Sequence, residues 1–262
     1  MQNDSVIEQK KIVNSFLVSG YGRFSIPVYR IDSDSNPEKY ATCFMLDTDS
    51  GSYIVTAKHV YFPWMGDGYV VEDPYFSFGL SPESIPIVKE NHVRPSGSSY
   101  DFIIVKLSNQ QKESILGSYY SCITTEMCDL VNSVGRKSLF LCCGYPNSDN
   151  EPDFDNLVLK SNLLIMHCSL HTTTKRNNHL VLKAHKMFKP RESIDPCKIE
   201  HAPEGMSGCP IWNVTSTNEG ISFHLKGLLH EYNPSSGDYI GEWVYHIIKT
   251  IQSVFEKKPA LT

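Results

Sequence analysis

Apolar positions change their period soon after the chain begins. Val6, Ile7, Val13, Phe16 and Leu17 recur at helical intervals, and Ser5-Val6-Ile7-Glu8 has the spacing of a capping box. Gly20-Tyr21-Gly22 follows as a stop. Residues 1–20 are therefore predicted to form an N-terminal helical extension. Beyond it the pattern turns to short apolar runs. These are Phe24–Ile31, Tyr40–Leu46, Tyr53–Ala57, Tyr75–Leu80, Phe102–Leu107, Leu139–Cys143, Leu157–Met166, Leu180–Lys183 and Phe223–Leu229. Most have strand length, many are rich in β-branched or aromatic residues, and turn clusters such as Asp47-Thr48-Asp49-Ser50-Gly51 separate them. Many short strands without alternating helices predict an all-β sandwich or barrel. The polar region near 108–136 has weak strand signals and reads as a connection between two barrels. At the far end Trp243, Val244, Ile247, Ile248, Ile251, Val254 and Phe255 share one helical face, and Lys257-Lys258 suit a helix C-terminus.

Composition narrows the functional classes. A chain of 262 residues, 40% hydrophobic, can bury one large core or two small ones. The net charge of -5 gives no electrostatic footprint for nucleic acid, and the thin run Lys175-Arg176, Lys183, Lys186, Lys189 and Arg191 reads as a solvated face. No stretch approaches the ~20 apolar residues of a membrane span. The polar start Met1-Gln2-Asn3-Asp4-Ser5 does not read as a secretory signal, so a cytoplasmic location is expected. Several of the eight cysteines, Cys43, Cys142, Cys143 and Cys168 among them, sit in apolar runs and are expected to be reduced and buried. No Cys-x-x-Cys occurs, and the ten histidines show no zinc-ligand spacing, so neither metal nor cofactor is expected.

Three local features carry candidate chemistry. In Gly205-Met206-Ser207-Gly208-Cys209-Pro210, glycines around a serine allow a sharp turn that aims the Gly205 and Ser207 amides at one spot, as an oxyanion hole requires. The bland alternative is a plain turn. Thr56-Ala57-Lys58-His59 follows the strand Tyr53-Ile54-Val55, which puts His59 at a strand end, either as a general base or as a polar rim residue. Asp101 enters the apolar strand Phe102–Leu107, where a partly buried acid needs a partner such as an imidazole; the alternative is an ordinary turn aspartate.

Taken together, in the order His, Asp, Ser, these motifs resemble those of the trypsin-like (chymotrypsin-fold) serine peptidases. Thr56–His59 matches the family's Thr-Ala-x-His, Asp101–Leu107 its acid before an apolar strand, and Gly205–Pro210 its Gly-x-Ser-Gly-x-Pro. Gly144-Tyr145-Pro146 resembles the start of the second barrel in bacterial members, and Lys226–His230 the strand lining the substrate pocket. The resemblance spans roughly residues 20–256. It implies two packed antiparallel six-stranded β-barrels, one over 21–125 carrying His59 and Asp101, one over 126–240 carrying Ser207, and a C-terminal helix over 241–262. It also implies a serine endopeptidase acting on protein or peptide substrates through a Ser207/His59/Asp101 triad and an acyl-enzyme. By the family pattern His201 and Ala202 lie near the base of the primary pocket, and His230 is a further candidate on the pocket strand. No aspartate occupies the pocket base, so an acidic or polar P1 residue is expected. Met206 stands where digestive members carry an aspartate that pairs with a newly cut N-terminus, so activation by such a cut is not expected. The competing expectation is a silent or latent protease-fold module in a stress or defence complex, held by a regulatory protein partner.

Overall fold

The computed structural model describes residues 2–31, 37–61, 75–78, 81–86, 92–93, 100–117, 119–131, 134–135, 138–147, 152–153, 158–159, 162–171, 179–190, 193–197 and 204–255. The chain opens with helix α1 (Gln2–Val18). Its first sheet holds β1 (Ile26–Ile31), β2 (Pro37–Thr48) and β3 (Gly51–Thr56), followed by a single helical turn, α2 (Lys58–Tyr61). A separate hairpin, β4 (Tyr75–Phe78) and β5 (Ser81–Pro86), precedes β6 (His92–Val93) and β7 (Ile103–Lys106). Helix α3 (Asn109–Gly117) and β8 (Cys122–Thr124) follow. The sheet order is β1-β2-β3-β7-β6, with β8 added to β2 in parallel. Every other pair in it is antiparallel.

The second half contributes β9 (Leu139–Gly144), the small pair β10 (Pro152–Asp153) and β11 (Val158–Leu159), then β12 (Leu164–Leu170), β13 (His179–Lys189) and β14 (Ser193–Cys197). It ends with β15 (Pro210–Thr217), β16 (Gly220–Asn233), β17 (Asp238–Trp243) and helix α4 (Val244–Phe255). Here β12-β9-β15-β16-β17-β13 closes on itself through a β12–β13 pairing, and β14 extends from β13 as a seventh strand. Closure leaves no free edge in the ring.

One apolar core runs through both sheets. Phe44, Ile54 and Ile104 of the first join Trp212 and Leu228 of the second, with Val13 and Phe16 of α1 and Ile247 and Ile251 of α4. A smaller core, with Phe140, Met166, Leu182 and Ile211, fills the closed barrel. Phe16 packs edge-on to Trp212 (6.0 Å) and Phe223 (5.1 Å), and Tyr21 lies 5.0 Å from Trp212. The N-terminal helix is thus sealed to β15 and β16, while Ile7 and Val18 stay exposed. At the other end Phe255 of α4 lies 5.1 Å from Tyr53 of β3, so the last helix reaches the first sheet.

The all-β expectation holds, with corrections in detail. Helix α1 runs through Ser5 from Gln2, so Ser5 does not cap it. Phe24 belongs to a 3₁₀ turn, Tyr21–Phe24, ahead of β1. The run expected as one strand over Leu157–Met166 divides between β11 and β12, and Trp243 closes β17 instead of opening the last helix. Of the run Tyr75–Leu80, residues 79 and 80 lie outside the described residues. The seven cysteines whose side chains are described are all free thiols, and among the described residues no helix is long and apolar enough to cross a membrane.

Candidate active site

Strand register brings His59 and Asp101 together. β3 and β7 are antiparallel, with Thr56 opposite Ile103, so the residues just after β3 and just before β7 share one end of the sheet. His59 Nδ1 lies 2.5 Å from Asp101 Oδ2, and the His59 amide donates to Asp101 Oδ1 at 3.1 Å. Two contacts on one carboxylate fix both the ring and the turn that carries it. The Asp101 carbonyl accepts from the Lys58 amide (3.3 Å), and Lys58 Nζ donates to the Tyr100 carbonyl (2.9 Å). The His59 side chain keeps 42% of its surface exposed, so its outer edge is open to a ligand.

Ser207 sits in a turn stapled from both sheets. The Gly208 amide donates to Leu229 O (2.7 Å), the Leu229 amide to Cys209 O (2.9 Å), and the Thr42 amide of β2 to Ser207 O (3.0 Å). Thr42 Oγ1 donates to Gly205 O (3.0 Å) and accepts from the Tyr145 amide (3.0 Å). The turn needs its glycines. Gly205 has φ +88° and a Cβ there would fall 2.1 Å from Asn147 Oδ1; Gly208 has φ +89° and its Cβ would fall 1.9 Å from the Thr42 carbonyl oxygen. Neither the Gly205 nor the Ser207 amide has an acceptor among the described residues. Ser207 Oγ has one hydrogen bond there, a long one of 3.5 Å to the His230 carbonyl, and none to His59.

His230 links the two halves. It sits at the β16 bulge between Leu229 and Glu231. Its carbonyl faces Ser207, while its buried ring puts Nδ1 3.5 Å from Asp101 Oδ2. The side chain named as a pocket candidate is therefore turned inward, against the acid. Burial favours the neutral form of Asp101, but hydrogen bonds from His230 and His59 and their charge outweigh it, and the carboxyl is held well below its ordinary range. His201 and Ala202 lie outside the described residues. Thr42, and Glu242, whose Oε1 accepts from the Asp101 amide at 3.1 Å, hold these two turns, and sequence reasoning missed both. The signal for Glu242 was a lone acid in an apolar run, Tyr239-Ile240-Gly241-Glu242-Trp243; nothing local marks Thr42.

No protein-family model matches the sequence, and no curated relative matches it. Among solved structures, the chain is similar to a Glu endopeptidase in complex with MPD, with TM-score 0.52 and 13% identity over 91% of this chain and 93% of that one. It is also similar to a catalytically active tobacco etch virus protease complexed with product (TM-score 0.48, 10% identity, 88% and 79% covered). A third is the tobacco vein mottling virus protease (TM-score 0.47, 10% identity, 85% and 77% covered). The nearly end-to-end likeness to the Glu endopeptidase, with the sheet topology, shows that the chain has the chymotrypsin-like fold.

Proposed function

We propose that the chain is a trypsin-like serine endopeptidase in which Ser207 is the nucleophile, His59 the general base and Asp101 the group that orients it. The observation that carries the reading is the His59 Nδ1–Asp101 Oδ2 hydrogen bond. It leaves Nε2 as the ring's remaining acceptor, at a site where the glycine-flanked Ser207 approaches the same cluster through His230. On substrate binding Ser207 Oγ attacks the peptide carbonyl and its proton passes to His59 Nε2. The oxyanion is received by the Gly205 and Ser207 amides, and His59 then protonates the leaving amine. Water repeats the sequence on the acyl-enzyme. Asp101, held ionised, balances the imidazolium that forms.

A cysteine nucleophile is disfavoured by the thiols near the turn. Cys209 and Cys143 are fully buried, and burial pushes the first well above the usual thiol range and the second up to about 12, so neither supplies thiolate near neutrality. Cleavage-site profiling on a diverse peptide library tests the proposal. The native chain is expected to cut and to report the P1 preference, while Ser207→Ala loses cleavage and keeps its circular dichroism. Equal cleavage by Ser207→Ala overturns it.

One observation favours a latent form of the same reading. Ser207 Oγ bonds to the His230 carbonyl and not to His59, so a rotation of the hydroxyl must precede attack. If a regulatory protein partner drives that rotation, the isolated chain is slow on casein and the partner accelerates it. Free casein cleavage by the isolated chain removes this version.

A further inference from the structure

Behind Asp101 the second barrel contains a group of polar side chains, of which Glu242 and His230 also touch Asp101. Glu242 of β17 is fully buried. β13 runs beside it with His179 opposite Glu242, and β16 runs on the other side with His230 at its bulge. The register thus sets two imidazoles on either side of one carboxylate. Glu242 Oε1 lies 3.2 Å from His179 Nδ1 and 3.8 Å from His230 Nε2, and Oε2 lies 3.7 Å from His246 Nδ1. None of the three is a hydrogen bond: two are too long, and at 3.2 Å the His179 ring is not aligned for one. His179 Nδ1, His230 Nε2, His246 Nδ1 and Glu242 Oε2 are all buried without a partner. Three such ring nitrogens around a fully buried carboxylate, one of whose own oxygens also lacks a hydrogen bond, would cost several kcal/mol unless something satisfies them.

We propose that His179, His230 and Glu242 form a binding site for one divalent transition-metal ion, with Zn²⁺ the best match to the donors, and with His246 at its edge. A tetrahedral ion bound to nitrogen and oxygen at about 2.0–2.2 Å sets neighbouring donor atoms about 3.3 Å apart. The observed 3.2 and 3.8 Å lie on either side of that value, and one donor atom from each of the three residues falls within 4.8 Å of the others. Two imidazoles and a carboxylate suit zinc and leave a fourth position open. Asp101, 3.5 Å from the other ring nitrogen of His230, is placed as the outer carboxylate that commonly orients a metal-bound histidine. His179 and His246 retain 17% and 15% side-chain exposure and mark the side from which an ion enters. The three ligands come from distant parts of the chain, so no spacing motif announces them. The proposal does not depend on Ser207 being a nucleophile.

The full chain, stripped by a chelator and desalted, is titrated with ZnCl₂ at neutral pH by calorimetry, with retained metal counted by mass spectrometry. One equivalent is expected, together with the intense visible absorption of a tetrahedral site when Co²⁺ replaces Zn²⁺. His179→Asn is expected to weaken binding at least 100-fold, more than the ~10–100-fold cost of losing an outer partner. Glu242→Gln is expected to do the same. Should Glu242→Gln fail to fold, the partly exposed His179→Asn decides. No stoichiometric zinc on the native chain overturns the proposal, as does retention by a folded His179→Asn equal to native, which would assign the ion to surface histidines.

Discussion

Thr42 ties the Ser207 turn to the first sheet. Replacing it with valine keeps the shape and removes only Oγ1. Two hydrogen bonds go: the donation to Gly205 O and the acceptance from the buried Tyr145 amide, each 3.0 Å. The backbone bonds of Thr42 to Ser207 and Thr56 Oγ1 remain. An orphaned buried amide costs about 1–3 kcal/mol and a half-buried carbonyl about 0.5–1.5. The added methyl burial returns ~0.8 kcal/mol. The net loss is roughly 1–4 kcal/mol, centred near 2, or on the order of 30-fold in the folding constant. Denaturant unfolding followed by tryptophan fluorescence measures it directly, because Trp212 sits in the shared core. Thr215→Val, at an exposed position of β15, is the control and should stay within about 0.5 kcal/mol. Freed from Thr42 Oγ1, the Gly205–Met206 peptide also loses one anchor of the turn that aims the oxyanion amides, so kcat on a peptide substrate should fall more than KM rises. Stability within about 0.5 kcal/mol of native, with unchanged kcat, would refute the cross-brace.

Gly208→Ala should be worse, since its Cβ would meet both the Thr42 carbonyl oxygen and Thr56 Oγ1 at 2.2 Å or less while φ stays positive; a loss of about 2–5 kcal/mol is expected, read as thermal midpoint and soluble yield. Asp101→Asn should lower kcat by about 10³–10⁴ with far-UV circular dichroism unchanged, because the amide no longer fixes the His59 tautomer. His167 sets a pH dependence of stability. Its ring is buried with both nitrogens unpaired, and burial together with nearby His185 lowers its pKa from 6.5 to about 4. The unfolded chain therefore binds more protons between those values. The contribution is complete above about pH 6.5 and is lost as pH falls to about 4, up to ~3 kcal/mol in all. His167→Phe should flatten that slope in denaturant midpoints taken from pH 4.5 to 7.5; an unchanged slope would exclude His167 as its source.

The features legible in the sequence were those whose geometry is set within a few residues. A strand ending in Thr56-Ala57 before His59, an acid leading into β7, and glycines on either side of Met206-Ser207 are local, and β7 needs only its β-branched run Ile103-Ile104-Val105. The missed strands had weaker patterns. β15 opens on Pro210 and its far half, Thr215 to Thr217, is exposed; β17 holds Gly241 and the buried Glu242. Capping boxes misled in both directions. Ser5 has the spacing but lies inside α1, whereas Ser108 and Gln111 form a real box at the start of α3, each backbone amide donating to the other's side chain, in a region read as connection. The contacts that hold the site cross the fold: Thr42 to Gly205, His230 to Asp101, Glu242 to the Asp101 amide. Such contacts depend on register between distant strands, and no periodicity in one segment encodes them.

The central claim is that Ser207 is a nucleophile activated by His59. A fluorophosphonate probe followed by peptide mass spectrometry tests it most directly. The account predicts one adduct on Ser207 in the native chain, none in Ser207→Ala and little in His59→Ala. A folded native chain that takes up no probe, or a label that persists in Ser207→Ala, would contradict it.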